Sequence, residues 1–140
     1  MQGASKSLVR SNVNRTPHMF AAFVSGATGA VPAMTSTDMQ RSRGIVSITR
    51  NSAGNYTVVL QRGCNDIAGF GGFVEQASWS IAGASRCVFV SKTLTGATPS
   101  FTFQVVTEND ASTHRVIAQD PTTGDIVKFW FDPKYSTGLS

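Results

Sequence analysis

Residues 44–60 read GIVSITRNSAGNYTVVL. Ile45 to Thr49 is β-branched or small at nearly every position. Asn51-Ser52-Ala53-Gly54 follows, and then Tyr56, Val58 and Leu60 alternate with Asn55, Thr57 and Val59. Alternation with period two is the mark of a strand with one buried face. Gly54 is free to take a positive φ where the chain reverses, so the stretch predicts a β-hairpin. Nothing in it is equipped for a reaction.

The same texture continues to the C-terminal side. CNDIAGFGGF (64–73) reads as a glycine-broken turn region. FVEQASWSIA (73–82) reads as a strand with Trp79 and Ile81 on one face. RCVFVSKTL (86–94) is the next strand, and SFTFQVVTE (100–108) alternates cleanly at Phe101, Phe103 and Val105. HRVIAQD (114–120) and IVKFWFD (126–132) complete the set, separated by the turn PTTGD. HMFAAFV (18–24) predicts a short first strand. Strands at this spacing, divided by turn signals and without a helical period, predict an all-β chain. The expected fold is an antiparallel β-sandwich of jelly-roll type, with an immunoglobulin-like sandwich as the competing arrangement.

The chain divides into two parts by composition. Residues 1–16 are polar, basic and poor in large apolar groups, which predicts an extended arm ordered only by a partner. Residues 17–140 form one β-sandwich domain with a long Gly/Ser/Thr-rich loop at 25–43, of a length that is often functional. Of 140 residues, 41% are hydrophobic and only 14% charged, against about 25% charged in ordinary soluble domains. A surface this short of charge suits a protein that spends its life against a partner. The charge is also uneven. Residues 1–62 carry seven Lys or Arg and one acid, Asp38, a net of +6; residues 63–140 carry five basic and seven acidic residues, a net of −2. A basic N-terminal half facing an acidic partner is one reading, and a solvated basic surface is the other.

Catalytic constellations are not evident. His18 and His114 lie far apart with no nucleophile elbow, and are read as surface or turn residues. GFGGF (69–73) lacks the lysine and hydroxyl of a phosphate-binding loop, and is read as a wide turn or a bulge entering a strand. Asp120 and Asp125 bracket a turn, and Glu108 and Asp110 sit in another, so all four are read as turn residues. No spacing suits calcium, and two lone cysteines with two histidines do not make a zinc site. No metal or cofactor is therefore expected. Cys64 and Cys87 are expected to be reduced thiols, since no secretory leader is evident. The arginines are not interleaved with aromatics as a single-strand nucleic-acid platform would be, and no apolar run is long enough for a membrane. Trp130 shares a face with Lys128, opposite Phe129 and Phe131. It is either part of a second buried face or an exposed contact of the kind favoured at interface hot spots.

A strand-rich chain of low charge with a basic polar arm resembles the capsid cement, or decoration, proteins of tailed bacteriophages that have a jelly-roll fold. The resemblance rests on the 44–60 hairpin and on DPTTGDIVKFWFDP (120–133) and covers about residues 44–132. It implies a non-enzymatic virion protein, assembled in the host cytoplasm, that sits on the capsid surface, bridges major capsid subunits and acts as a homo-oligomer, dimer or trimer. Similar hairpins occur in phage fibre and spike modules, so a tail-fibre domain that binds a host receptor or glycan through its loops is the alternative. Arg10, Arg15, Arg41 and Arg43 are the basic residues least committed to the sandwich and the candidates to face the shell. Met19, Phe20 and Phe23 are the candidate apolar anchor, with a place in the core as the other reading for all three.

Deletion of residues 1–16 is expected to weaken assembly while leaving the melting temperature of the isolated protein unchanged. A truncated chain that melts far below the full-length one would assign the arm to the core.

Overall fold

The computed structural model describes residues 18–31, 44–80, 83–109 and 115–135. The arm at 1–16, most of the 25–43 loop, Arg10, Arg15, Arg41, Arg43 and His114 lie outside the described residues. Among the described residues there are eight antiparallel strands: β1 (Met19–Val24), β2 (Ile45–Ser52), β3 (Asn55–Leu60), β4 (Asp66–Glu75), β5 (Arg86–Thr93), β6 (Ser100–Asn109), β7 (Arg115–Ala118) and β8 (Ile126–Lys134). Their order is β1-β8-β4-β5-β6-β3-β2, with β7 added beside β6. The sheet is curled and folds over between β4 and β5. There the ladder has one paired position, Phe73 opposite Arg86, supported by a bond from the Val74 N–H to the Ser85 carbonyl.

The fold-over puts β1-β8-β4 in one layer and β5-β6-β3-β2 in the other. Alternation aims one side of every strand at the space between them. Phe129 and Phe131 of β8 meet Phe101 and Phe103 of β6, with Phe103–Phe129 centroids 4.8 Å apart and Phe101–Phe131 5.1 Å. At the far side Phe23 of β1 packs on Tyr56 of β3 at 5.2 Å. All six rings are buried. The chain is therefore the antiparallel β-sandwich of jelly-roll-like form that the alternation predicts. In β2 a bulge between Ile45 and Ser47 breaks the period, so that Ile45 and Ile48, three apart, both reach the core.

Three sequence readings are corrected, one of them for Glu108, which lies in β6 opposite Val116 rather than in a turn. The glycine-broken region 64–73 is not a turn but most of β4, and a bulge between Ile67 and Gly69 agrees with the other reading of GFGGF, a bulge entering a strand. None of Gly69, Gly71 and Gly72 takes a positive φ; each is small because something lies against it. Conversely, the strand expected through Trp79 stops at Glu75. Ala77 turns its N–H to the buried Asp125 carboxylate at 3.0 Å, and Gln76 binds Ser80 through both ends of its amide. Trp79 stands in a loop, and Ile81 lies outside the described residues.

The first hairpin forms as expected, and its tip is fixed from a distance. Gly54 takes φ +66° and is buried, its carbonyl accepting from Val105 N–H at 2.7 Å. Its own N–H donates to Asp120 at 2.8 Å. Asp120 also accepts two bonds from the Arg50 guanidinium, at 2.9 and 2.7 Å. Asp125 behaves as the turn residue expected, accepting the Thr122 N–H at 2.9 Å. Asp120 does more, pinning β2 and the hairpin turn to the segment leaving β7.

The hydrogen bond from Arg50 holds the Asp120 carboxyl below its usual range, with the Gly54 N–H and the arginine charge adding to it and desolvation opposing. The carboxylate therefore stabilises the fold above the unfolded value of about 3.9 and loses that contribution as pH falls through its lower folded value. Asp120→Asn is expected to cost about 1–2 kcal/mol at pH 7. In denaturant titrations the gap to wild type should close below about pH 4.

Candidate protein-binding face

The two layers differ on their outer sides. Outside β5-β6-β3 stand Thr57, Thr102 and Gln104, with Ser91 and Thr102 sharing a hydrogen bond of 2.6 Å, and β5 adds the exposed aliphatic residues Val88 and Val90 but no exposed ring. Outside β1-β8-β4 three aromatic residues, Phe20, Phe73 and Trp130, stand among aliphatic and charged ones. Alternation in β1 sends Ala21 and Phe23 inward and Phe20 and Val24 outward, and these two are 47% and 49% exposed. Register then builds rows across the layer. Phe20 lies beside Trp130, which lies beside Gly71; Ala22 lies beside Lys128, and Lys128 beside Phe73; Val24 lies beside Ile126, and Ile126 beside Glu75. Phe73 is 51% exposed.

Trp130 lies flat because β4 makes room for it. A Cβ on Gly71 would come within 2.5 Å of the Trp130 ring, and one on Gly69 within 3.2 Å. The indole thus crosses β4 and adds a broad apolar surface instead of projecting from it. The His18 ring covers its other end, with centroids 5.4 Å apart, and is held by a 2.6 Å bond between Nδ1 and Asp132. On the inner side Gly72 makes room for Cys87.

Electrostatically the face is nearly neutral. Lys128 pairs with Glu75 and lies 5.9 Å from the centre of the Phe73 ring. The His18 ring is hydrogen-bonded to Asp132. Covering charges that already have partners is less costly than covering lone ones. The apolar groups between them lose unfavourable contact with water when covered. Buried aromatics surrounded by a polar rim are the usual anatomy of a protein interface.

Of the candidate anchor residues, Phe20 lies on this face. Met19 is half-buried and packs against the core, close to Gly44, and Phe23 is a core residue. Phe73, Val24 and Ile126 complete the face. Sequence reasoning did not single out Phe73, which it placed where the glycine-broken region meets the next strand. Both readings of Trp130 have some hold, since it is half-buried by β4 and His18 on an outer face.

Reactive groups are secluded. Both cysteines are buried and free. Burial pushes the Cys87 thiol up to about 12 and raises that of Cys64 too, so both stay protonated at neutral pH. Burial likewise pushes the Tyr56 hydroxyl up to about 12, where it donates to the Gly29 carbonyl at 2.8 Å. Among the described residues no three His, Cys, Asp or Glu side chains gather to hold a metal ion. No protein family, no curated protein and no solved structure matches the chain.

Gly71→Ala is expected to lift Trp130 from β4 and destabilise the protein by about 1–3 kcal/mol. The indole N–H resonance of Trp130 should move in the NMR spectrum while that of Trp79 stays in place.

Proposed function

We propose that this chain is a structural protein that binds another protein through the outer face of β1-β8-β4, and that it does so as a decoration protein on a bacteriophage capsid, bridging major capsid subunits. The observation that carries the proposal is the outward set of Phe20 and Phe73, each about half exposed, with the half-buried Trp130 beside Phe20, on a layer where Lys128 is paired with Glu75. A face of this kind favours a partner with an apolar surface of its own. The resemblance of the hairpin and of the closing strand to cement proteins supports the choice of a capsid. A shell offers many identical sites at fixed spacing, so an oligomer that engages several at once gains avidity through effective concentration.

The fold suits a mechanical role. Load on a shell subunit would pass into a two-layer block whose strands are tied by ladders and whose hairpin tip is tied by Asp120. The basic arm and loop would add electrostatic attraction to the shell, although exposed ion pairs contribute only about 0–1 kcal/mol each. Most of the affinity would come from the aromatic face.

The double variant Phe20→Ser, Phe73→Ser tests this on purified particles. Both side chains are half-exposed, so its melting temperature should stay near that of wild type. Its occupancy at equal concentration should fall at least about ten-fold. Wild-type protein should match the major capsid protein in copy number by gel densitometry. Unchanged occupancy of the variant would overturn the face, and a few copies per particle would overturn the clamp in favour of a fibre.

A further inference from the structure

A second surface lies away from this face. Between the end of β4 and the adjoining parts of β5 and β6 runs an open groove of about 520 Å³, within the roughly 300–1,000 Å³ usual for small-ligand sites. Trp79 stands at it, 82% exposed, the most exposed large apolar side chain among the described residues. Its ring contributes nothing to the core. Among the described residues none that lines the groove is charged.

We infer that this groove binds a neutral carbohydrate. A pyranose ring presents an apolar face of C–H groups and a rim of hydroxyls, each both donor and acceptor. A flat indole open to solvent matches the first. Gln76, Ser80, Ser85 and Thr107 beside it supply the amide and hydroxyl groups that match the second. A phosphate or carboxylate ligand would call for Arg or Lys in the lining, and none is there.

The polar groups are held in place before any ligand arrives. The Gln76 Oε1 accepts the Ser80 N–H at 2.8 Å while its Nε2 donates to the Ser80 carbonyl at 3.1 Å and the Ala84 carbonyl at 3.4 Å, so that Gln76 offers a ligand hydroxyl the remaining lone pair of Oε1. Thr107 is buried and donates to the Gly83 carbonyl at 2.9 Å, which leaves lone pairs on its oxygen. Ser85 is fixed by its backbone on both sides, donating to Val106 at 2.9 Å and accepting from Val74 at 3.0 Å. Ala77 is tied to Asp125. Binding therefore requires little ordering of the protein, which favours recognition of a weakly interacting sugar.

The test is an NMR titration of the full chain with neutral di- to tetrasaccharides of glucose, galactose and N-acetylglucosamine. At least one should shift the Trp79 indole N–H resonance saturably while the Trp130 resonance stays fixed. Trp79→Ala should weaken that binding by about ten-fold or more, and Trp79→Phe, which keeps a flat ring, by less. The Phe20→Ser, Phe73→Ser variant should bind the sugar as wild type does, which separates this site from the capsid face. The inference is overturned if no neutral sugar moves the Trp79 resonance. It is equally overturned if shifts at the Ser85 and Thr107 amides persist unchanged in Trp79→Ala.

Discussion

Between β4 and β5 the ladder has a single paired position, so the two layers are held face to face mainly by packed side chains, helped by the backbone bonds from Val74 N–H to the Ser85 carbonyl and from Cys64 N–H to the Leu94 carbonyl and by the Asp66–Lys92 ion pair. Phe70 stands at the fold-over and reaches across it. Its ring meets those of Phe89 at 5.6 Å, Phe101 at 5.8 Å, Phe103 at 5.7 Å and Phe129 at 6.2 Å. One side chain of β4 thus touches rings of β5, β6 and β8. A sheet joined at one pair is free to bend sharply there, and the aromatic cluster fixes the bend by filling the space it encloses. The outer face inherits its rigidity from this arrangement. Trp130 can lie still on β4 only because β4 is pinned from beneath by Phe70 and along its edge by β8.

That dependence explains which parts of the fold were legible in the sequence. Tyr56, Val58 and Leu60, or Phe101, Phe103 and Val105, write their burial into a period of two, since each strand has one face toward the core. The turn at Gly54 and the turn PTTGD were legible because local backbone chemistry decides them. β4 was not legible, since its glycines carry the usual sign of a turn. Their reason lies in distant residues: Trp130 on one side and Cys87 on the other occupy the volume that side chains would have taken. A single sequence does not show such a relation until the register of β4 against β8 is known. Trp79 misled in the opposite sense. It was read as part of a strand, whereas the bond from Ala77 N–H to Asp125 and the bonds between Gln76 and Ser80 hold its segment in a loop.

The candidate face was legible in part for the same reason. Phe20 was picked out from its place beside the arm, and Trp130 from its position opposite two phenylalanines. Phe73 was not singled out, since it falls where the glycine-broken region meets the next strand. Met19 and Phe23 share β1 with Phe20, and only pairing with β8 decides which of the three points outward. Alternation separates Phe20 from Phe23 but does not say which side is wet.

Charge completes the argument. Of the seven basic residues in the N-terminal half, Arg50 is bound to Asp120, and Arg62 lies over the Tyr135 ring at 4.2 Å. Both are engaged within the sandwich. The other five, Lys6, Arg10, Arg15, Arg41 and Arg43, all belong to the arm or to the loop before β2. On the aromatic face Lys128 is paired as well. In the clamp reading the work is therefore divided between separate parts of the chain. Long-range attraction, which raises association rates and weakens with salt, belongs to the arm and loop. Short-range affinity, which slows dissociation and is insensitive to salt, belongs to Phe20, Phe73 and Trp130. Loss of the arginines would then act mainly on the rate of arrival, and loss of the phenylalanines on the rate of departure.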